Sequence, residues 1–335
     1  MKKKDGLLKE AAFLLAILVL LAVALFSILQ ILEKTVFYRP PGEEETVVRK
    51  TVTHNGVDYY PRQDITTILV MGIDRFGVVE DSGASSNSGH NDLTVLLIVD
   101  ESRQVCDVLH INRDTMMEVR MLGLDGRFAG TWFGQLAVAH TSGTGLKDSA
   151  ENVAETLSDF LGGVRIDHYV AMNMDAIAIL NDAVGGVTVT VTEDFSAVDP
   201  EIPMGEVKLM GNHALNFVRT RKDVGDQLNL SRIERHKEYM DGFVEAFRAK
   251  RATGADFILD AYEAVAPYMV TDCSANLIAS MIQRYEDYQI GQILSPAGEN
   301  VMGETYFEFH ADEAALKELV LQLFYAEKES SSERE

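Results

Sequence analysis

Residues 65–73 read ITTILVMGI, residues 93–100 read LTVLLIVD, and residues 105–111 read VCDVLHI. Each run is short, apolar almost throughout, rich in β-branched residues and bounded by turn formers or charge. Such runs suit strands covered on both faces of a sheet. Further along, the spacing of Val153, Leu157 and Leu161 predicts a helix over 147–161. HYVAMNM (168–174) reads as a strand, DAIAILNDAV (175–184) as a helix closed by Gly185-Gly186, and VTVTVT (187–192) as another strand. A helix follows from Leu230 to about Lys250, with Asn229 or Ser231 available as its cap. The remainder reads as a helix over 275–285, strands over 288–294 and 305–309, and a helix over 311–325. This order of elements predicts an α/β domain with a mixed central β-sheet flanked by helices.

Outward from that domain, residues 11–32 (AAFLLAILVLLAVALFSILQIL) carry no charge. A run of about 22 apolar residues is long enough to cross a bilayer as one transmembrane helix. Lys2, Lys3, Lys4 and Lys9 precede it, and Glu33, Glu43, Glu44 and Glu45 follow. The excess of lysine before the span predicts residues 1–10 in the cytoplasm and everything after Glu33 outside. No small-residue cleavage site follows, so the expectation is an uncleaved single-pass anchor in the cell membrane. Residues 33–61 then form an extracellular stalk with a β-hairpin around Asn55-Gly56, residues 62–325 the main domain, and 326–335 a disordered polar tail. The formal net charge of −22 gives no basic footprint and argues against nucleic acid as a partner. Cys106 sits in an apolar run and reads as a core thiol; pairing with Cys273 is the less favoured alternative.

Against that acidic background, residues 216–236 read NFVRTRKDVGDQLNLSRIERH and gather Arg219, Arg221, Arg232 and Arg235. Arginine forks match phosphate oxygens and stay charged, so the cluster predicts an anion clamp built from a strand end and the first turn of a helix. Pairing with Asp223, Asp226 and Glu234 on the surface is the alternative. The strands end or begin at Asp74, at Asp92 and at Arg113-Asp114, with the Gly/Ser-rich loop FGVVEDSGASSNSGH (76–90) between the first two. Side chains at strand ends face the crevice where sites assemble. Asp74 and Asp92 facing arginines make a Mg²⁺–diphosphate constellation, although each aspartate can also simply end a turn.

The order GID, ND, INRDT, DHYVAMNMDAIAILNDAVGGVTVTV, GNHALNFVRTR and SRIER resembles the LytR–CpsA–Psr family of membrane-anchored cell-wall phosphotransferases, over roughly 65–247. The resemblance implies transfer of a phospho-linked glycopolymer, such as teichoic acid or capsule, from a polyprenyl-diphosphate carrier to peptidoglycan outside the membrane. It places Mg²⁺ on Asp74 and Asp92, and the diphosphate on Arg113, Arg219, Arg221 and Arg232. His90 and His236 stand where the family carries Arg and Gln, and they join the diphosphate-binding set. Gln135-Leu136-Ala137 and Asn229 also depart from its pattern. The sugar hydroxyl that attacks must lose a proton, and Asp114 and Asp226 are the candidates to take it. Apolar helix faces (Ile177, Ile179, Leu180, Phe243) are available to a polyprenyl tail, or else belong to the core. The competing readings are a protein that binds or senses a polyprenyl diphosphate without turnover, and a transcriptional regulator.

Overall fold

The computed structural model describes residues 51–327 apart from 84–87, 124, 221–223, 225–228, 254–256 and 286. The side chains of 229–234, 236, 237, 258, 259, 275, 276, 279, 282 and 283 also lie outside the described set. The apolar run 11–32 is therefore outside it too; among the described residues no helix is long and apolar enough to cross a membrane.

The chain opens with a hairpin of β1 (Val52–His54) and β2 (Val57–Pro61). Its turn residues Asn55 and Gly56 both hold positive φ, 50° and 81°, which a two-residue turn matched to strand twist requires. β3 (Ile65–Ile73), β4 (Asn91–Asp100) and β5 (Val105–Ile111) are the three apolar runs of the sequence. β6 (Met116–Leu122) and β7 (Phe128–Gln135) form a second hairpin, and a 3₁₀ turn over Leu136–Ser142 leads into α1 (Lys147–Phe160). Next come β8 (His168–Asn173), α2 (Asp175–Ala183), β9 (Val187–Val191), β10 (Gly205–Leu209), α3 (Asn212–Arg219) and α4 (Asn229–Ala252). The chain finishes with α5 (Phe257–Val265), β11 (Met269–Thr271), α6 (Ala275–Tyr285), β12 (Gln289–Leu294), β13 (Gly298–Met302), β14 (Phe307–Ala311), α7 (Glu313–Phe324) and β15 (Tyr325–Glu327).

Six strands make the central sheet in the order β11-β8-β3-β4-β5-β12. β3 pairs parallel with β8 and antiparallel with β4, and β5 pairs antiparallel with β4 and parallel with β12. The sheet is mixed, and both faces are covered. One face packs Val70, Val95, Leu97 and Val108 against α2, α5 and α6 through Leu180, Val265 and Ile278. The other packs Leu69, Leu96, Leu109 and Ile111 against α1 and α7 through Val153, Leu157 and Phe324. Burying a side chain of this size contributes about 1.5–3 kcal/mol, which explains why these strands are apolar on both faces. A third core joins β9 and β10 to α3 and α4 through Val189, Phe217, Tyr239 and Phe243.

Two expectations change, and the favoured reading of the cysteines holds. Ala326 and Glu327, assigned to the tail, extend β15, which pairs with β2. The hairpin assigned to the stalk is thereby stitched into the C-terminal end of the domain. Leu180 and Phe243, offered as lining for a lipid tail, are 2% and 1% exposed and belong to the core, because the helices that carry them pack flat on strands. Both cysteines are free thiols, and burial pushes each up to about 12.

Candidate functional site

Because β4 runs opposite to β3 and β5, its start lies at the same sheet edge as their ends. Asp74 follows β3, Asp92 is the second residue of β4, and Arg113-Asp114 follow β5, so the topology gathers all four at one edge. A bulge sharpens this placement. The β3–β4 register shifts between Gly72 and Ile73, so that Ile73 pairs with Asn91. A Cβ on Gly72 would stand 2.8 Å from the Cβ of Leu93, so the close approach of the two strands needs glycine. Beyond the bulge, the Asp74 N–H donates to the His90 carbonyl (2.9 Å) and closes the base of the long loop between β3 and β4.

Arg113 joins the carboxylates. Its Nη1 donates to Asp92 Oδ1, and its Nε lies 3.5 Å from Asp114 Oδ1. The Gln135 amide donates to the same Asp114 oxygen (3.1 Å) and to the Phe307 carbonyl (2.8 Å). Burial raises the Asp92 carboxyl above its ordinary value; Arg113 pulls it back, and the neighbouring charge of Asp74 raises it further. Asp92 and Asp74 thus offer two carboxylates close enough for the charge of one to act on the other. That donor set fits a hard divalent cation, which takes a few carboxylate oxygens and completes its shell with water and phosphate.

Arg219 arrives from a different element than expected. The residues NHALNFVR form the helix α3, burying Ala214, Leu215 and Phe217, and Arg219 is its last residue. The first half of the predicted clamp is thus a helix end and not a strand end. The reason is the i, i+3 spacing of Ala214 and Phe217, which lets one helical face enter the third core. Arg219 Nη2 lies 3.9 Å from Asp74 Oδ1, and its guanidinium sits 4.9 Å from the ring centre of Phe76. The arrangement thus places Asp74 beside Arg219 and Asp92 beside Arg113.

Arg235 separates from the cluster. It is 5% exposed, pairs with Glu193 (2.9 Å), and donates to the carbonyls of Phe217 (3.0 Å) and Thr220 (2.6 Å). Those carbonyls end α3 and have no helical partner of their own, so Arg235 fixes the end from which Arg219 projects. His90 is exposed at the site, and its charge acts on Asp92. Arg221 and Asp226, and the side chains of Arg232 and His236, lie outside the described residues.

Sequence reasoning marked Gln135 only as a departure from the family pattern and missed its bond to Asp114, which depends on a hairpin signalled by the alternation in MMEVRML. It also missed an open cleft of about 350 Å³ lined by Val78, Val79, Tyr262, Pro267, Met269 and Val270. The cleft begins in the loop after β3 and runs along β11 at the edge of the sheet.

The sequence profile of the LytR_cpsA_psr family matches residues 36–323. The polyisoprenyl-teichoic acid–peptidoglycan teichoic acid transferase TagU of Halalkalibacterium halodurans is 29% identical over 201 residues, covering 59% of each chain. The chain therefore spans about three fifths of the length of that relative. The enzyme of the same name from Bacillus subtilis is 23% identical over 265 residues, 78% of each. Among solved structures, protein gbs0355 of Streptococcus agalactiae superposes with a TM-score of 0.59 at 22% identity, covering 78% of this chain and 86% of that one, a likeness of fold.

Proposed function

Since the chain belongs to the LytR_cpsA_psr family, we propose that it transfers a phospho-linked glycopolymer from a polyprenyl-diphosphate carrier to peptidoglycan. The observation that carries the reading is Arg113 held between Asp92 and Asp114, with the Asp74–Arg219 pair beside it. Phosphoryl transfer asks a protein for charge neutralisation and positioning far more than for covalent chemistry. Arg113 and Arg219 bind the diphosphate, and Arg221 and Arg232 join them from the segment that follows α3. Asp74 and Asp92 hold Mg²⁺, which when bound neutralises charge on non-bridging phosphate oxygens.

Asp114 takes the proton. An acceptor hydroxyl oxygen attacks the phosphorus that carries the glycopolymer, and its proton passes to the Asp114 carboxylate. A new P–O bond forms, the bond to the bridging diphosphate oxygen breaks, and polyprenyl phosphate leaves with the electron pair. Asp226 is the alternative acceptor from the sequence. The tail of the carrier lies in the open cleft beside β11, against the side chains of Val78, Val79 and Met269. Residues 11–32 anchor the chain, with the domain on the outer face of the membrane.

The test uses a short polyprenyl-diphosphate glycan, a peptidoglycan acceptor and Mg²⁺. Transfer with release of polyprenyl phosphate is expected, together with a rise in melting temperature on adding Mg²⁺ alone that Asp92→Asn and Asp74→Asn abolish. Carrier binding with no Mg²⁺-dependent release would replace the transfer reading with that of a binding or sensing protein. Retained transfer in both variants would remove the metal assignment.

A further inference from the structure

Two hairpins meet at Asp114. The Gln135 amide bonds both the Asp114 carboxylate (3.1 Å) and the Phe307 carbonyl (2.8 Å), and the Phe309 N–H donates to the Asp114 carbonyl (2.8 Å). A bridge between Thr115 and Phe309 completes the junction. In β7, Phe133 pairs with Glu118 and Gln135 with Met116, so Phe133 shares the face of Gln135. In the other hairpin, Met302 pairs with Phe307. These three apolar side chains are 52% (Phe133), 60% (Met302) and 64% (Phe307) exposed, although all three sit on paired strands. Large apolar groups held rigidly in water beside a site mark a surface that something covers. Trp132 does not belong to it: its partner is the buried Val119, so it lies on the opposite face of its hairpin.

We propose that Phe133, Phe307 and Met302 form the docking surface for the acceptor, an uncharged run of the peptidoglycan glycan strand; this rests on the transfer reading above. A pyranose ring presents a flat face of C–H bonds with hydroxyls at its edge. The negative face of an aromatic ring attracts those polarised C–H bonds, and the sugar's edge stays free for polar partners. The charge around the patch selects the occupant. Glu118 lies opposite Phe133, Glu299 and Glu304 are exposed in the second hairpin, and Arg120 is occupied by Glu155 and Asp159, each at 2.9 Å. An acidic rim repels both the phosphate-bearing donor and an anionic lipid surface, and it tolerates a neutral sugar. Geometry gives the same answer. A sugar on this surface lies next to Asp114, the proton acceptor, whereas the donor diphosphate belongs to Arg113 and Arg219.

The experiment measures co-sedimentation of the full chain with isolated peptidoglycan sacculi. It also measures acceptor KM in transfer and release of polyprenyl phosphate to water with no acceptor present. For Phe133→Ala/Phe307→Ala we expect sacculus binding to weaken and acceptor KM to rise about ten-fold, with acceptor-free release unchanged. Phe133→Tyr restores binding, and Tyr60→Ala, exposed on β2 away from the site, leaves it intact. Unchanged sacculus binding and KM overturn the proposal. So does a variant that loses binding to anionic phospholipid vesicles while keeping its hold on sacculi, because the patch then faces a membrane. Absence of donor turnover in the parent protein counts against the transfer reading alone, since co-sedimentation reads the surface directly.

Discussion

Arg113 is the residue on which the two halves of the site meet, because one planar fork reaches a carboxylate on β4 and another just after β5. A lysine at this position keeps the charge but replaces the rigid fork with a compact ammonium on a flexible stem, so the two oxygens are no longer held in a fixed geometry. Arg113→Lys is therefore expected to lower transfer at least about ten-fold while leaving the unfolding midpoint in urea nearly unchanged. Transfer at the parent rate would reduce Arg113 to a structural ion pair. At this scale much was legible. Asp74, Asp92, Arg113 and Asp114 announce themselves because a charged residue at either end of an apolar strand has few other places to go. The arginine-rich segment was legible in composition and illegible in roles. Arg219 and Arg235 look alike in sequence, yet one is half exposed beside Asp74 and the other is buried under a helix end. Only tertiary packing, through Phe195 and Glu193, distinguishes them.

Among the elements, α3 was the one read wrongly, and its end is secured by Arg235. Removing one partner of a buried ion pair leaves the other charge without compensation, which costs about 3–5 kcal/mol. Arg235→Met is expected to lose roughly that much in chemical denaturation, and Arg235→Met/Glu193→Leu to recover most of it. If the single variant were as stable as the parent, Arg235 would be free to serve in the clamp. Long apolar strands and helices with a full heptad of spacing were visible in the sequence because burial on both faces dictates composition. The β6–β7 and β9–β10 hairpins were not fully recovered. β6 and β9 alternate, but β7 (FAGTWFGQ) does not and β10 (GEVKL) does so only over its last four residues, so the period-2 signal that marks a half-buried strand is weak on one side of each hairpin.

Across the whole molecule, the three cores are apolar but not free of titratable groups. His110 and His140 are both pushed down to about 4 by burial; His140 also donates from Nδ1 to the Gly89 carbonyl (3.1 Å), with Asp148 and Arg75 nearby. An unfolded histidine binds its proton near pH 6.5, so between about 6.5 and 4 the unfolded state holds more protons than the folded one. The stability tied to these neutral rings is complete above about pH 6.5 and lost as the pH falls toward 4. By pH 5 the loss is about 2 kcal/mol per histidine. Urea unfolding at pH 7 and pH 5 should show it, with His140→Asn removing about half of the difference; an equal drop in parent and variant would mean that His140 charges freely in the folded protein. The mixed six-stranded sheet was foreseeable, whereas the pairing of β2 with β15 was not, because three-residue strands carry almost no pattern. β2 leads within four residues into β3, and Asp74 directly follows β3. Any pull between the N-terminal side of this domain and a polymer held at the site therefore runs along β3. That strand is flanked by β8 on one side and β4 on the other, so the load is carried in shear by two rows of hydrogen bonds at once. If the proposed transfer holds the chain to a polymer under tension, the load enters through the strand that is paired along both of its edges.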